Sequence, residues 1–143
     1  MLSLAEISDR LEIQQLMIDY SSAIDQRRFD DLDRVFTPDA YIDYRATGGT
    51  DGRYPEAKAW LAETLPNFPS YAHMLGNFDI HIDGDTATSR TICFNPMVFQ
   101  LSDKGHAKQV MFVGIWYDDE FARTAEGWRI SRRVEVKWMD RIV

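Results

Sequence analysis

The spacing of apolar residues changes once along the chain, and this change restricts the fold more than any other feature. Over residues 4–24 the apolar side chains recur every three or four positions, the period of a helix with one buried face. From residue 71 onward the interval is two, as in Phe78, Ile80 and Ile82, which is typical of a half-buried strand. Helices first and strands afterwards favour an α+β fold in which the helices cover one face of a curved sheet.

Three helices are predicted in the first half of the chain. Ser3 and Glu6 have the spacing of a capping box, so the first helix is expected over about 4–24. An aspartate cap would start a second, short helix that ends near Phe36, and a proline at its first turn would open a third helix over 55–65.

Five strands are predicted, one before the third helix and four after it. The later ones form an antiparallel meander joined by turns, and Asn95-Pro96 predicts a bulge or an edge within it. The expected strands are 40–45, 71–83, 86–101, 108–121 and 128–138, and the expected hairpin turns are 83–85, 102–105 and 125–127.

Length, charge and cysteine content limit the possible functions. A chain of 143 residues suits one domain, residues 1–143, with a single core. A net charge of −7 should repel nucleic acid and anionic membranes, so neutral or weakly polar small molecules are the expected ligands. The lone Cys93 excludes an internal disulfide and a cysteine zinc site. With no signal peptide and no membrane-spanning apolar run in sight, a cytoplasmic protein is expected.

Asp25 and His73 are the best candidates for chemistry. Asp25 follows directly on the apolar face of the first helix, at the end where the helix dipole disfavours a carboxylate, and a histidine partner would explain its position. His73 lies among apolar neighbours and could act as a general base or acid. The alternatives are a solvated aspartate and a structural histidine. Strand alternation places His73 in phase with the outward Asp79 unless Gly76 introduces a bulge.

Other polar residues belong to the same candidate region. Tyr20 shares the apolar face of the first helix, whereas Tyr41 and Tyr44 fall on opposite strand faces, so at most one of those two points inward. Asn95 would either touch a ligand or satisfy a bulge. Arg132 stands in an apolar alternation, so either a bulge turns it outward or it is paired and partly buried.

Several short segments, in this order of elements, resemble the SnoaL-like branch of the nuclear transport factor 2 superfamily, and within it the scytalone dehydratases. The resemblance spans nearly the whole chain. Its sharpest pieces are Asp25, Ile42-Asp43-Tyr44-Arg45, His73-Met74-Leu75-Gly76 and Trp116-Tyr117.

The resemblance implies a fold and a reaction. The fold would be a cone-shaped barrel, a curved mixed sheet wrapped around the long N-terminal helix, with two further short helices and a pocket between helix and sheet. The reaction would be cofactor-free elimination of water from a hydroxylated cyclic ketone. By resemblance His73 is the catalytic histidine, Asp25 its partner, and Tyr44 a tyrosine that holds water against the substrate carbonyl.

The chain departs from that pattern at several pocket positions. Ile24 stands where the relatives have a second tyrosine, which Tyr20 could replace, and a second histidine is missing near Asn95 and Met97. The pocket is therefore expected to be more apolar, with one titrating group fewer. The residues expected to contact a ligand are Tyr20, Ile24, Asn95, Met97, Met111, Val113 and Trp116.

The expected function is that of a dehydratase-like lyase without metal or cofactor, acting on a small cyclic ketone or polyketide-like compound. The alternatives are an isomerase of the ketosteroid-isomerase type or a polyketide cyclase, and a non-catalytic binding module or accessory subunit of an oxygenase. A homo-oligomer, either a dimer or a trimer, is expected.

Overall fold

Two α-helices and seven strands follow one another in the computed structural model, which describes residues 1–100 and 108–143. The helices are α1 (Leu4–Asp25) and α2 (Tyr54–Thr64), and short 3-10 helices cover Phe29–Arg34, Arg45–Thr47 and Leu65–Asn67. The strands are β1 (Phe36–Asp43), β2 (Asp51–Arg53), β3 (Ser70–Tyr71), β4 (Met74–Asp83), β5 (Thr86–Gln100), β6 (Lys108–Thr124) and β7 (Gly127–Ile142).

The strands form one curved, mixed sheet that does not close. Its order is β2-β1-β7-β6-β5-β3, and β4 also pairs with β5. β1 runs parallel to β7, and the other pairs are antiparallel. The predicted α+β class, with a long N-terminal helix against a curved mixed sheet, is therefore confirmed, and the barrel is an open one.

The sheet covers the C-terminal part of α1. The capping box is present, with the Ser3 N–H donating to Glu6 Oε2 over 2.8 Å and the Glu6 N–H donating to Ser3 Oγ over 3.2 Å. The first turns after this cap stay exposed, including Leu4 and Leu11, although they share the apolar period. The buried apolar residues come later in the helix and are Ile13, Leu16, Met17, Tyr20, Ala23 and Ile24.

Bulges in two strands decide which side chains face α1. In β4 the register shifts between Gly76 and Asp79, where Asn77 has a φ of 47°. Because this shift reverses the alternation, His73 points to the same side as Phe78 and the later inward residues of β4. The predicted bulge near Gly76 is thus present.

In β7, Phe121 pairs with Ile130 and Glu120 with Arg132, so Ser131 is the extra residue of a bulge. The bulge turns Arg132 outward, with 44% of its side chain exposed, and turns Arg133 into the core. Of the two expectations for Arg132, the outward bulge is the one observed.

Three predicted features differ from the structure. The predicted second helix is a short 3-10 helix over Phe29–Arg34 rather than an α-helix. The early strand starts at Phe36 rather than at residue 40. The bulge or edge expected at Asn95-Pro96 is wrong, since β5 pairs with β6 there without a shift and, on its other side, the Pro96 carbonyl accepts from the Ala72 N–H over 3.2 Å. The predicted turn at 102–105 lies outside the described residues.

A buried ion pair joins β6 and β7 beneath the helix. Arg133 donates from Nε and Nη2 to the two carboxylate oxygens of Asp119 over 2.8 and 2.7 Å, and both side chains are at most 1% exposed. The guanidinium lies 4.1 Å from the ring centre of Tyr20 and 3.9 Å from that of Tyr117. Burial raises the pKa of Asp119, and the nearby Arg133 opposes this shift. In the part of the chain that is described, neither helix has the length and apolar character needed to cross a membrane.

Candidate active site

Asp25 and His73 form a close pair at the end of α1. The Asp25 carboxylate accepts from the His73 backbone N–H through Oδ2 over 2.9 Å, and its Oδ1 lies 2.6 Å from the ring Nδ1. The His73 side chain is 6% exposed and that of Asp25 is 26% exposed. Because both carboxylate oxygens bind the same histidine, the ring has one orientation.

The end of α1 places this carboxylate. Gln26 caps the helix, Arg27 has a left-handed φ of 56°, and the Arg28 N–H donates to the Ala23 carbonyl over 2.8 Å. This Schellman arrangement ends the helix at Asp25. A carboxylate there opposes the helix dipole, and the two bonds from His73 compensate for it.

The pairing also determines the tautomer that we infer for His73. A carboxylate 2.6 Å from Nδ1 requires the proton to be on Nδ1, which leaves the lone pair on Nε2. Asn95 Nδ2 lies 3.4 Å from Nε2, a long contact. The buried Asn95 Oδ1 has no partner among the described residues, so this amide can still accept a hydrogen bond from a ligand.

Tyrosine hydroxyls form a second polar feature of the site, and the ring centre of Tyr20 lies 6.3 Å from that of His73. The hydroxyls of Tyr20 and Tyr44 lie 2.9 Å apart, and both side chains are buried. Burial raises the pKa of Tyr20 to about 12 and that of Tyr44 well above its usual value. Both phenols therefore stay protonated at neutral pH and act as hydrogen-bond donors.

A cavity of about 180 Å³ lies where these groups meet, between α1, α2 and the sheet. Its polar groups include His73, Asn95, Tyr20 and Tyr44. Its walls are otherwise mostly apolar, formed by Ile24, Trp60, Leu61, Leu65, Phe68, Met97, Met111, Val113 and Ile115. An apolar cavity with a few convergent polar groups suits a small organic molecule.

Nearly all predicted site residues lie in or beside this cavity. Asp25 stands behind His73 and contacts it directly. The cavity is lined by His73, Tyr44, Tyr20, Ile24, Asn95, Met97, Met111 and Val113. Tyr41 points the other way, with its hydroxyl donating to Asp51 Oδ2 over 2.9 Å, so Tyr44 is the inward member of the pair.

The prediction that Trp116 contacts a ligand is not supported by its position. Ile115 and Tyr117 point inward from β6, and strand alternation therefore directs Trp116 to the outer face of the sheet. There its ring lies 5.7 Å from the Arg90 guanidinium.

Glu135 is a cavity residue that the sequence did not indicate. Its Oε2 lies 2.6 Å from the hydroxyl of Thr47, which also lines the cavity. Burial raises the pKa of Glu135 to about 7, against the opposing effects of Thr47 and Arg133. The expectation of one titrating group fewer omitted this carboxyl, which faces inward because of the β7 bulge.

The described residues contain no group of three or more His, Cys, Asp or Glu side chains that could hold a metal ion. The absence of a metal or cofactor from the reaction therefore stays a prediction from the sequence.

The chain was compared with known proteins. The family model for a SnoaL-like domain matches residues 5–134. An uncharacterized protein of Mycobacterium tuberculosis strain H37Rv, Rv2910c, is 71% identical over 143 residues, which is 100% of this chain and 95% of the relative.

Two of the solved structures that share the fold are of proteins from Novosphingobium species. A protein of N. aromaticivorans, proposed to be an aromatic ring hydroxylase, is 32% identical with a TM-score of 0.74, and the match covers 96% of this chain and 93% of that one. The hexachlorocyclohexane dehydrochlorinase LinA-type3 of N. barchaimii LL02 is 18% identical with a TM-score of 0.75, covering 96% and 91%. The chain thus belongs to the SnoaL-like family.

Proposed function

We propose that the protein is a cofactor-independent lyase that removes water from a small, largely apolar cyclic ketone with a hydroxyl group β to the carbonyl. The single observation that carries the proposal is the His73–Asp25 pair. It presents the Nε2 lone pair, with Asn95 Nδ2 at a long 3.4 Å from it, to a cavity whose walls are mostly apolar.

The first step is removal of a proton α to the carbonyl. His73 Nε2 takes the proton, and the electrons of the broken C–H bond move toward the carbonyl oxygen as an enolate. Asp25 holds the ring in position and stabilises the positive charge that develops on the imidazole.

The Tyr20–Tyr44 pair supports the charge on the carbonyl oxygen. When one hydroxyl donates to the other, the second hydroxyl keeps its hydrogen for another acceptor. Preorganised donors of this kind stabilise a developing oxyanion, and they do so best in a site that excludes water.

The second step completes the elimination. The enolate electrons form a carbon–carbon double bond, the C–O bond to the β-hydroxyl breaks, and the departing oxygen takes up a proton and leaves as water. The proton that His73 took from the α carbon balances this uptake, since His73 either gives it to the departing oxygen or releases it while another group protonates that oxygen. Returning that proton to a different carbon would instead make the reaction an isomerisation, the first alternative function.

The comparison with a dehydrochlorinase supports elimination as the reaction class, because that enzyme also forms a double bond by loss of a proton and a leaving group. The likeness at 18% identity concerns the fold, so the supporting weight stays with the His73–Asp25 geometry. A binding module or an accessory subunit of an oxygenase would use the same cavity without changing the ligand.

The proposal is tested with 3-hydroxy-1-tetralone, a neutral bicyclic ketone whose dehydration gives fluorescent 1-naphthol. We expect the protein to accelerate the appearance of 1-naphthol well above the buffer rate. Recovery of the compound unchanged, together with tight binding of 1-tetralone, would favour the binding module instead.

Asp25→Asn should separate the role of the pair from the role of the histidine alone. The amide can donate to Nδ1, which would favour the wrong tautomer, and it cannot balance the charge of an imidazolium. We expect a loss of about 10²-fold or more in the dehydration rate with little change in ligand binding. Asp19→Asn, at an exposed position of the same helix, is the control and should keep full activity.

Tyr44→Phe should remove one of the two paired hydroxyls while keeping the ring. Loss of one oxyanion donor costs about 10²–10³-fold in turnover, and the remaining Tyr20 places the expected loss at the lower end. Tyr41→Phe, on the outer strand face, is the matched control. Equal rates for the two variants would remove Tyr44 from the mechanism.

A further inference from the structure

Glu135 enters the cavity from a different wall than His73. Glu135 lies on β7, which is next to β6 in the sheet. His73 lies in the short link between β3 and β4, and both of these strands pair with β5, on the other side of β6. A ligand in the cavity can therefore meet an imidazole from one side and a carboxyl group from the other.

The contacts of Thr47 bear on the protonation of Glu135. Thr47 Oγ1 lies 2.6 Å from Glu135 Oε2 and 3.1 Å from the Tyr44 carbonyl oxygen, and a hydroxyl has one hydrogen to donate. When Thr47 donates to Tyr44, the short contact with Glu135 needs a proton on the carboxyl group. When Thr47 donates to Glu135, it stabilises the carboxylate. One rotation of the Thr47 hydroxyl thus serves both forms.

The charged and titratable groups around Glu135 come from several elements. Arg133, two residues earlier on β7, favours the carboxylate, but its guanidinium already makes two bonds to Asp119. Asp43 on β1 disfavours the carboxylate. Among the described residues, the other titratable groups that line the cavity are the phenols of Tyr20 and Tyr44 and the imidazole of His73. On β6 the phenol of Tyr117 pairs opposite Glu135, and the Cys93 thiol on β5 also interacts with it. Burial outweighs the Arg133 charge and raises the pKa of Glu135 to about 7.

We propose that Glu135 is the second acid–base group of this cavity, and that it donates the proton with which the departing hydroxyl leaves as water. The inference rests on the proposed lyase function and assigns its second proton transfer. The inference also restricts the ligand to neutral molecules with two oxygen groups. One is a carbonyl that accepts hydrogen bonds, and the other is a hydroxyl that leaves as water.

The proton balance of this division is complete. The α C–H bond breaks and its proton goes to His73 Nε2, the carbon–carbon double bond forms, and the C–O bond breaks. The departing oxygen takes the Glu135 proton, and Thr47 turns its hydrogen to the new carboxylate. Imidazolium and carboxylate then exchange the remaining proton through water, which restores both groups.

A titration without any ligand tests the protonation of Glu135. The protein is labelled with ¹³C at the glutamate side-chain carboxyls, and the Glu135 signal is identified by its loss in Glu135→Gln. We expect its midpoint near pH 7, well above the value of about 4.3 for a glutamate in a model peptide. Thr47→Val should move the Glu135 midpoint upward, because the threonine bond favours the carboxylate. A Glu135 midpoint as low as the model-peptide value of about 4.3 would overturn the proposal.

A second measurement separates this inference from the proposed function. Glu135→Gln should lower dehydration of 3-hydroxy-1-tetralone by about 10²-fold, the lower range for loss of a general acid, yet keep exchange of the C2 hydrogens of 1-tetralone with D₂O. That exchange needs His73 as the base, and it does not need Glu135, because 1-tetralone has no hydroxyl group that must leave. Wild-type dehydration in Glu135→Gln overturns the role of Glu135 and leaves the lyase intact. Loss of C2 exchange in Glu135→Gln also overturns it, whereas exchange that survives His73→Ala overturns the lyase itself.

Discussion

Replacing His73 with alanine is expected to lower the rate of dehydration of 3-hydroxy-1-tetralone by about 10²–10⁴-fold, the range that general acid–base catalysis supplies. The physical reason is that Nε2 is the lone pair that the Asp25 bond leaves free in the cavity. Ligand binding should change far less than turnover, because the apolar walls that supply most of the contact with a ligand remain in the variant. Initial rates of 1-naphthol formation measure the loss, and equilibrium binding of 1-tetralone measures the affinity.

The matched control is His81→Ala. His81 lies eight residues further on, has a side chain that is 73% exposed, and contacts Asp79 on the outer surface over 3.1 Å. This variant should dehydrate the compound at the wild-type rate. If His73→Ala and His81→Ala had equal rates, His73 would not be the catalytic base.

The largest effect on stability is expected for Asp119→Ala, which should lower the free energy of unfolding by about 3–5 kcal/mol. The change leaves the Arg133 guanidinium buried between two tyrosine rings without the carboxylate that now accepts from its Nε and Nη2. A buried cation left without its partner lowers the free energy of unfolding by far more than the intact ion pair contributes to it. Urea unfolding followed by tryptophan fluorescence measures the difference.

Asp118 supplies the control for this prediction. It is the neighbouring residue on β6 and pairs with Arg90 at the surface over 2.7 Å. Exposed pairs contribute about 0–1 kcal/mol, so Asp118→Ala should have a correspondingly small effect.

The double variant Asp119→Leu with Arg133→Met should be more stable than Asp119→Ala alone, because it removes both charges together. A double variant as unstable as the single one would show that packing, rather than the unpaired charge, sets the loss.

Most of the fold could be predicted because periodicity reports which faces are buried. Residues 4–24 carry the helical period and residues 71–138 the strand period, and the observed α1 and β4 to β7 follow these segments closely. The short strands β2 and β3 were missed because three and two residues are too few to show a period. The parallel pairing of β1 with β7 joins segments about ninety residues apart, which no local pattern records.

The sequence predicted the Asp25–His73 side of the candidate site but not the Glu135 side. Asp25 was noticeable as a carboxylate at the wrong end of a helix dipole, and the structure places it against His73. The orientation of His73 depends on the bulge at Gly76 to Asp79, for which a glycine in a strand was a visible signal.

Glu135 and Arg133 had no such signal. The bulge at Ser131 reverses the alternation of β7. In the sequence the alternation from Trp128 to Trp138 looks unbroken, which predicted that Arg133 and Glu135 face outward. Trp116 was assigned through a resemblance rather than through its strand phase, which directs it outward.

Exchange of the C2 hydrogens of 1-tetralone in D₂O tests the central claim most directly, because it needs a base in the cavity and nothing else from the reaction. Followed by proton NMR, the wild-type protein should exchange these hydrogens well above the buffer rate. His73→Ala and Asp25→Asn should each reduce the enzymatic part by about 10²-fold or more. A wild-type rate equal to that of the buffer, or full exchange in His73→Ala, would contradict proton removal by the His73–Asp25 pair.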